Sequence, residues 1–357
     1  QVSILTNDCV ADSIPGFAAK LKGNGFNDYI SIPPLGMNTN TLTISAWIKA
    51  DSIEPDYSPI FMYDGQAAGF NFLPGSNHLG FHWPSGPWWW DSGLAVPYGE
   101  WAHVAMVVSP TEIRLYLNGK SAAYSFTVPT VNFNLSTSRL GNYQGWGGRY
   151  YKGLIDEVTV WNKTLTEDEI RSTRHLTKTP ATDSNLIAYY QFNEPNGIVL
   201  DKVGVRHASL SSGSTRVVST GPFAGGSSSK LTITGGGINN FVGTDLEMTF
   251  PSIPSATYPN GDVWVSKLNY NPDQNANPYP MVNKYWVVNN YGTDTVFSPL
   301  SSISFSGLPA LTITTPNSYY LYKRQANNDG NTWATPQDTA DTYTLNGNNS
   351  NLLFSTN

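Results

Sequence analysis

Four tryptophans fall within eight positions in Phe81-His82-Trp83-Pro84-Ser85-Gly86-Pro87-Trp88-Trp89-Trp90-Asp91. Flat indoles offer area to the apolar C–H faces of a sugar ring at low entropic cost, and a nearby Asp or Asn can serve the hydroxyls. The loop 142–151 (NYQGWGGRYY) repeats that recipe, setting Tyr143, Trp146, Arg149 and Tyr150 on a Gly-rich backbone. The competing reading is packing. In a strand, Trp88 and Trp90 would share a face opposite Trp89, and the run would be core and edge. The candidate ligand-binding residues are therefore Trp83, Trp88, Trp89, Trp90, Asp91, Tyr143, Trp146, Arg149 and Tyr150.

Other chemistries find less to work with. His78 and His82 are four apart, but in a strand-like context that spacing spans about 13 Å, too far for one ion. His103 reads as a satisfied core histidine. Cys9 is the single cysteine, so neither an intrachain disulfide nor a Cys-based zinc site can form. Neither a Gly-x-Ser-x-Gly elbow nor a His-Glu-x-x-His pair occurs, and Glu167-Asp168-Glu169 reads as a helix N-terminus rather than an acid–base pair. The reading is not an enzyme, with no catalytic residues assigned. The Asn-x-Ser/Thr triplets at Asn134, Asn162 and Asn348 are what an Asn-rich chain produces by chance.

Composition narrows the class. Charged residues make up 13% of the 357, against about 25% in an ordinary soluble domain, while aromatics also reach 13%. So many rings imply packed cores, and the abundance of Gly, Asn and Pro implies short strands joined by turns. A net charge of −6 without a basic stripe excludes a nucleic-acid partner. No apolar run approaches the roughly 18 residues of a spanning helix, so membrane insertion is excluded as well. The chain opens at Gln1 with neither Met nor signal peptide, as expected of a piece processed from a longer precursor.

Period-2 patterns then supply the elements that must carry the loops. Leu42, Ile44, Ala46 and Ile48 alternate with Thr43, Ser45, Trp47 and Lys49, a strand with one apolar face. Residues 101–108 read as a strand buried on both sides, and Ile113, Leu115 and Leu117 lead into the Asn118-Gly119 hairpin signal. Strands follow at 154–161 and 186–192. Thr166-Glu167-Asp168-Glu169 is a capping box and predicts one short helix near 167–175. A Gly/Ser/Pro-rich stretch, 219–230, reads as a linker between domains at 1–218 and 231–357. Seven short runs beyond it, one of them at 311–314, predict a second β-sandwich.

GNGFNDYISIP (23–33), TLTISAWIKA (41–50), GEWAHVAMVVSPTEIRLYLNGK (99–120) and KGLIDEVTVWNKTLTEDEI (152–170) resemble, in that order, the laminin-G-like jelly rolls of the concanavalin-A-like lectin/glucanase superfamily. LIAYYQFNEPNGIVLDKVGVRHASL (186–210) resembles the piece that closes such domains in bacterial secreted and cell-surface proteins. Residues 221–357 resemble a companion sandwich less specifically. The resemblance implies an all-β fold: a jelly roll of two antiparallel sheets, a second, smaller β-sandwich and one short helix. It also implies that Asn24, standing where relatives often have Asp, could share a structural calcium ion with Asp28, Asp156 and nearby carbonyls. Relatives that cleave glycans carry Glu-x-Asp-x-x-Glu on one strand, and this chain lacks it. Residues 326–333 (ANNDGNTW) resemble a degenerate Asp-box turn of sialidases and read as an Asn/Gly hairpin.

The expectation is a non-catalytic, secreted or cell-surface binding protein whose jelly roll takes a glycan or a surface protein. Two alternatives stand beside it. One is the ancillary region of a larger secreted glycan-degrading enzyme or protease, and the other is a purely structural adhesin segment.

Overall fold

Alternation of apolar side chains along Leu42–Ala50 sends Leu42, Ile44, Ala46, Ile48 and Ala50 into one core, and the other strands of the first 222 residues align on it. The structure, a computed structural model, describes residues 16–25, 27–179, 183–195, 197–271, 283–309, 315–324, 338–346 and 349–355. It divides into two compact units, one reaching to Arg174 and resuming at Lys178–Pro222, the other made of His175–Thr177 and Phe223 onward.

In the first unit, one sheet runs in the order Lys120–Ser125, Glu112–Leu117, Ala102–Ser109, Leu42–Ala50, Lys152–Trp161, Phe17–Lys22 and Thr215–Val218; Leu186–Tyr190 also pairs with Lys152–Trp161. The other sheet has the order Ile198–Val199, Ala208–Leu210, Ile30–Ile32, Ser138–Leu140, Pro59–Tyr63, Ala68–Phe72 and Leu79–His82. All these pairings are antiparallel. Phe61, Tyr63, Phe70, Phe72, Leu79 and Phe81 of the second sheet meet Ile44, Ile48, Val104, Met106 and Ile155 of the first in a single buried cluster. That is a jelly-roll sandwich. Asn118 and Gly119, with φ of 50° and 80°, make the expected tight hairpin.

The polar face of Leu42–Ala50 is also buried, because the segment carrying the α-helix Glu167–Thr173 lies over it. Each polar group there finds a partner. Thr43 Oγ1 donates to Lys163 O (2.8 Å), Ser45 and Thr159 share a hydrogen bond of 2.7 Å, and the Trp47 indole N–H donates to Arg174 O (2.6 Å). Ala105, Val107, Tyr116, Leu165, Ile170 and Tyr189 form a smaller core between helix and sheet, which explains why Ala102–Ser109 is buried on both faces. His103 is buried with its ring edge-on to Trp47. Thr166 caps the helix reciprocally with Glu169, as the capping box requires.

The second unit is described by itself. Gly226–Ile233, Gly261–Leu268 and Tyr285–Asn290 form one sheet; Gly237–Phe241, Leu246–Phe250, Ser302–Pro309, Asn349–Ser355 and Thr342–Asn346 form another. Ile233, Val263 and Val265 meet Phe241, Leu246, Phe250, Phe305 and Phe354 in its core. Gly226–Lys230 therefore corrects the linker reading. This Ser-rich stretch is strand, paired residue by residue from Gly226↔Leu268 to Ile233↔Gly261, because ladder hydrogen bonds come from the backbone whatever the side chains. The expected strand at 311–314 and the Asp-box turn at 326–333 lie outside the described residues, as do Cys9 and Asn348.

Candidate aromatic binding site

Core packing on the second sheet sets what its outer face can carry. Phe81 points into the core, so His82 points out; it pairs with Gly69, and Asn71 lies two residues further along that same face. His82 Nδ1 lies 2.9 Å from Asn71 Oδ1, whose amide nitrogen already donates to Phe72 O, so the ring carries its proton on Nδ1. Burial, with the nearby positive charge of Arg149, lowers the His82 pKa to about 4, and the ring is neutral at physiological pH.

Over this floor three loops converge. Tyr57, in a turn closed by Ser58 N–H to Pro55 O, presents its ring edge-on to His82 (5.5 Å) and to Trp88 (5.6 Å). The Arg149 guanidinium lies 4.7 Å from the Tyr57 ring centre and 5.1 Å from that of Trp146. Trp88, Tyr57, Arg149 and Trp146 thus form one continuous patch, with Trp88 52% and Trp146 63% exposed. The two loops singled out by their tryptophans do meet, through Tyr57 and His82.

The loops are held from beneath. Glu54 is buried, and one carboxyl oxygen accepts Lys152 N–H at 2.9 Å; the Ser58 hydroxyl donates to Tyr150 O at 3.1 Å. Asp64 accepts Gln144 N–H and pairs with Arg139 at 2.9 Å, while Arg139 also donates to the Gln144 side chain. Tyr143 packs over Gly145, where a Cβ would fall 2.6 Å from the ring, so a larger residue there would push the tyrosine ring aside.

The structure sorts the remaining expected residues. Trp83 is buried, and its indole donates to Pro129 O at 2.9 Å: it is a core residue, a correction to its place among the ligand groups. Residues 83–91 are turns, closed by Gly86 N–H to Trp83 O and Trp90 N–H to Pro87 O, so strand alternation does not apply. Trp88 and Trp89 both face outward, and Trp90 packs inward on Phe81 (5.7 Å) and Tyr124 (5.8 Å). Trp89 is 63% exposed and joins no ring contact among the described residues. Asp91 is tied to His78 Nδ1 at 2.9 Å and to Gly93 N–H at 2.7 Å. Tyr150 joins through its backbone carbonyl.

The expected calcium ligands do not fit one ion. Lys22 pairs with Lys152, so Asn24 lies beyond one end of Phe17–Lys22, whereas Asp156 is four residues along from Lys152, about 13 Å away. Asn24 is exposed. Asp28 is buried, accepting Lys22 N–H (2.5 Å), Gly23 N–H (2.7 Å) and the Ser214 hydroxyl (3.3 Å), as a carboxylate that ends a strand. Asp156 and Glu157 occupy a bulge, with Glu157 at φ 49°. Burial and the adjacent Glu157 push the Asp156 pKa well above its ordinary value. No cluster of three or more His, Cys, Asp or Glu suited to a metal occurs among the described residues.

Tyr57 and Asn71 were missing from the sequence reading, and His82 entered it only as half of a rejected zinc pair. Tyr57 sits alone among Pro, Ser and Asp in DSIEPDYSP, so a lone aromatic in a polar loop was the one available signal.

Residues 23–171 match the laminin-G form of the Concanavalin A-like lectin/glucanases superfamily, and that stretch is a laminin-G-like jelly roll. No curated protein matches the chain. Among solved structures, a proposed carbohydrate binding protein from Bacteroides ovatus is 21% identical over 59% of this chain and 62% of its own, with a TM-score of 0.47. The chain thus spans about three fifths of that protein's length. Domain 4 of a GH43 extracellular arabinanase from Geobacillus stearothermophilus, in complex with arabinotriose, is 23% identical over 43% of this chain and 74% of its own, at 0.36. A heptameric SAP-like pentraxin from Limulus polyphemus is 15% identical over 57% and 96%, at 0.38. At such identities and scores, nothing about binding or activity passes from these proteins to this one.

Two outcomes follow for this site. Trp83→Ala should lower unfolding stability by about 3–5 kcal/mol, as for other buried aromatics. Trp88→Ala and Trp146→Ala should each cost about 1 kcal/mol or less; denaturant unfolding that ranks the three equally would contradict this division. Burial raises the Glu54 pKa from 4.5 to about 8. Between those values the folded protein keeps a proton the unfolded chain has lost, so stability falls as pH rises through that window. Glu54→Gln should therefore melt with a smaller loss between pH 5 and pH 8 than the parent; equal losses would show that Glu54 does not titrate this way.

Proposed function

We propose that the jelly roll is a non-catalytic glycan-binding module of a secreted or cell-surface protein. The observation that carries this reading is the single patch made by Trp88, Tyr57, Arg149 and Trp146, with both indoles open to solvent while Trp47, Trp83 and Trp101 are buried. Exposed flat rings on loops pinned from below present pre-ordered apolar area to sugar C–H faces, with little left to freeze on binding. The groups beside the patch support binding over hydrolysis. His82 is neutral and committed to Asn71, and Asp91 is committed to His78 and Gly93, so neither is free to act as half of an acid–base pair. Calcium has no part in this reading.

The test is a glycan array probed with the full chain. The reading expects one or more glycans to bind, with Trp88→Ala and Trp146→Ala each weakening binding about fivefold or more, the equivalent of about 1 kcal/mol per ring. An array without binding, or variants that bind like the parent, would overturn it and leave a surface protein as the partner to seek.

A further inference from the structure

The arginines of the jelly roll are used in two ways. Arg114, Arg139, Arg171 and Arg216 each meet a carboxylate, and Arg174 and Arg206 donate to Asn118 and to the Ile187 carbonyl. Arg149 does neither. Its guanidinium is half-buried against the Tyr57 and Trp146 rings, and among the described residues no group accepts a hydrogen bond from it or forms an ion pair with it. Asp56 is close enough to act on its charge but does not reach it. Contact with ring faces uses the π-surface of a guanidinium and leaves the five N–H donors of its fork unused. A cation stripped of part of its water, with a full set of free donors beside two exposed indoles, is poised for an oxyanion delivered by a ligand that also stacks.

We propose that Arg149 is an anion-reading subsite, and that the platform selects glycans carrying an acidic substituent, a uronate carboxylate or a sulfate ester, next to a ring stacked on Trp146 or Trp88. This rests on the glycan-binding reading above and adds the class of sugar. A bidentate oxyanion satisfies donors that neutral hydroxyls, themselves well served by water, would satisfy less strongly. It also fits the sequence around it. In a chain of net charge −6, an unneutralised arginine on an aromatic loop favours acidic ligands against the overall field.

The experiment uses the full chain on an array in which each acidic glycan is printed beside its neutral counterpart: oligogalacturonates with their methyl esters, and sulfated galactan oligomers with their desulfated forms. The parent should prefer the acidic member of one kind of pair by about tenfold, with the preference falling as salt is raised. Which kind of pair shows it identifies the substituent. Arg149→Gln should bring the ratio to about twofold or less, and Arg149→Lys, which keeps the charge without the fork, should retain only part of it. Melting curves establish that both variants fold, and the lysine variant is read alone if the glutamine variant does not. Binding without acidic preference, or a preference that survives in the variants, overturns the subsite and leaves the neutral platform standing. No binding to any glycan overturns both.

Discussion

The hydrogen bond from Lys152 N–H to the buried carboxyl of Glu54 is the constraint on which the site depends. Lys152 opens the strand Lys152–Trp161, which pairs with Leu42–Ala50, Phe17–Lys22 and Leu186–Tyr190 and so lies in the middle of its sheet. The loop after Leu42–Ala50 holds Glu54 and Tyr57, and the loop before Lys152 holds Trp146 and Arg149. Joining Glu54 to Lys152, and Ser58 to Tyr150, ties the two loops where they leave the sheets. The Tyr57–Arg149–Trp146 stack then follows with little freedom left to either loop. Burying a carboxyl for this purpose is costly, and burial accordingly raises its pKa to about 8, so that it serves as a largely neutral acid at physiological pH.

Aromatic residues do two jobs in the jelly roll, packing its cores or standing exposed on its loops. Phe61, Phe70, Phe72, Phe81 and Tyr151 fill the space between the sheets. Trp47 and Trp101 are buried as well, each with its indole N–H satisfied, by Arg174 O and Thr220 Oγ1 respectively. The exposed indoles Trp88, Trp89 and Trp146 lie in loops. Trp88 and Trp146 stay exposed, steadied by Tyr57 and Arg149 rather than covered. A site of this kind needs no bulky polar network; it needs a rigid floor, which His82 and Asn71 supply.

Much of the fold was legible in the sequence. The alternation of Leu42–Ile48, the doubly apolar run 101–108, the Asn118-Gly119 turn and the capping box at Thr166 are local signals, and each of these elements forms where its local physics points. What the pattern could not show was register and long-range contact. Asn24 and Asp156 look like neighbours by topology, yet the Lys22↔Lys152 pairing separates them by several residues of strand. Gly226–Lys230 looks like a linker by composition, yet its backbone finds the Gly261–Leu268 ladder. In the Trp run, assigning a strand made Trp88 and Trp90 alike, whereas the turns at Trp83–Gly86 and Pro87–Trp90 turn one out and the other in. Tyr57 was illegible because its importance lies wholly in what meets it across the fold.

The central claim is that Trp88 and Trp146 belong to one exposed sugar-binding patch while the other tryptophans of the jelly roll are structural or uninvolved. The most direct measurement is an indole ¹⁵N–¹H spectrum of the tryptophan-labelled chain, with peaks assigned by single substitution, during titration with a glycan bound on the array. The account predicts that the Trp88 and Trp146 indole signals move together along one binding curve while those of Trp47, Trp83 and Trp101 stay in place. Movement confined to other tryptophans, or Trp88 and Trp146 responding to different ligands, would contradict it.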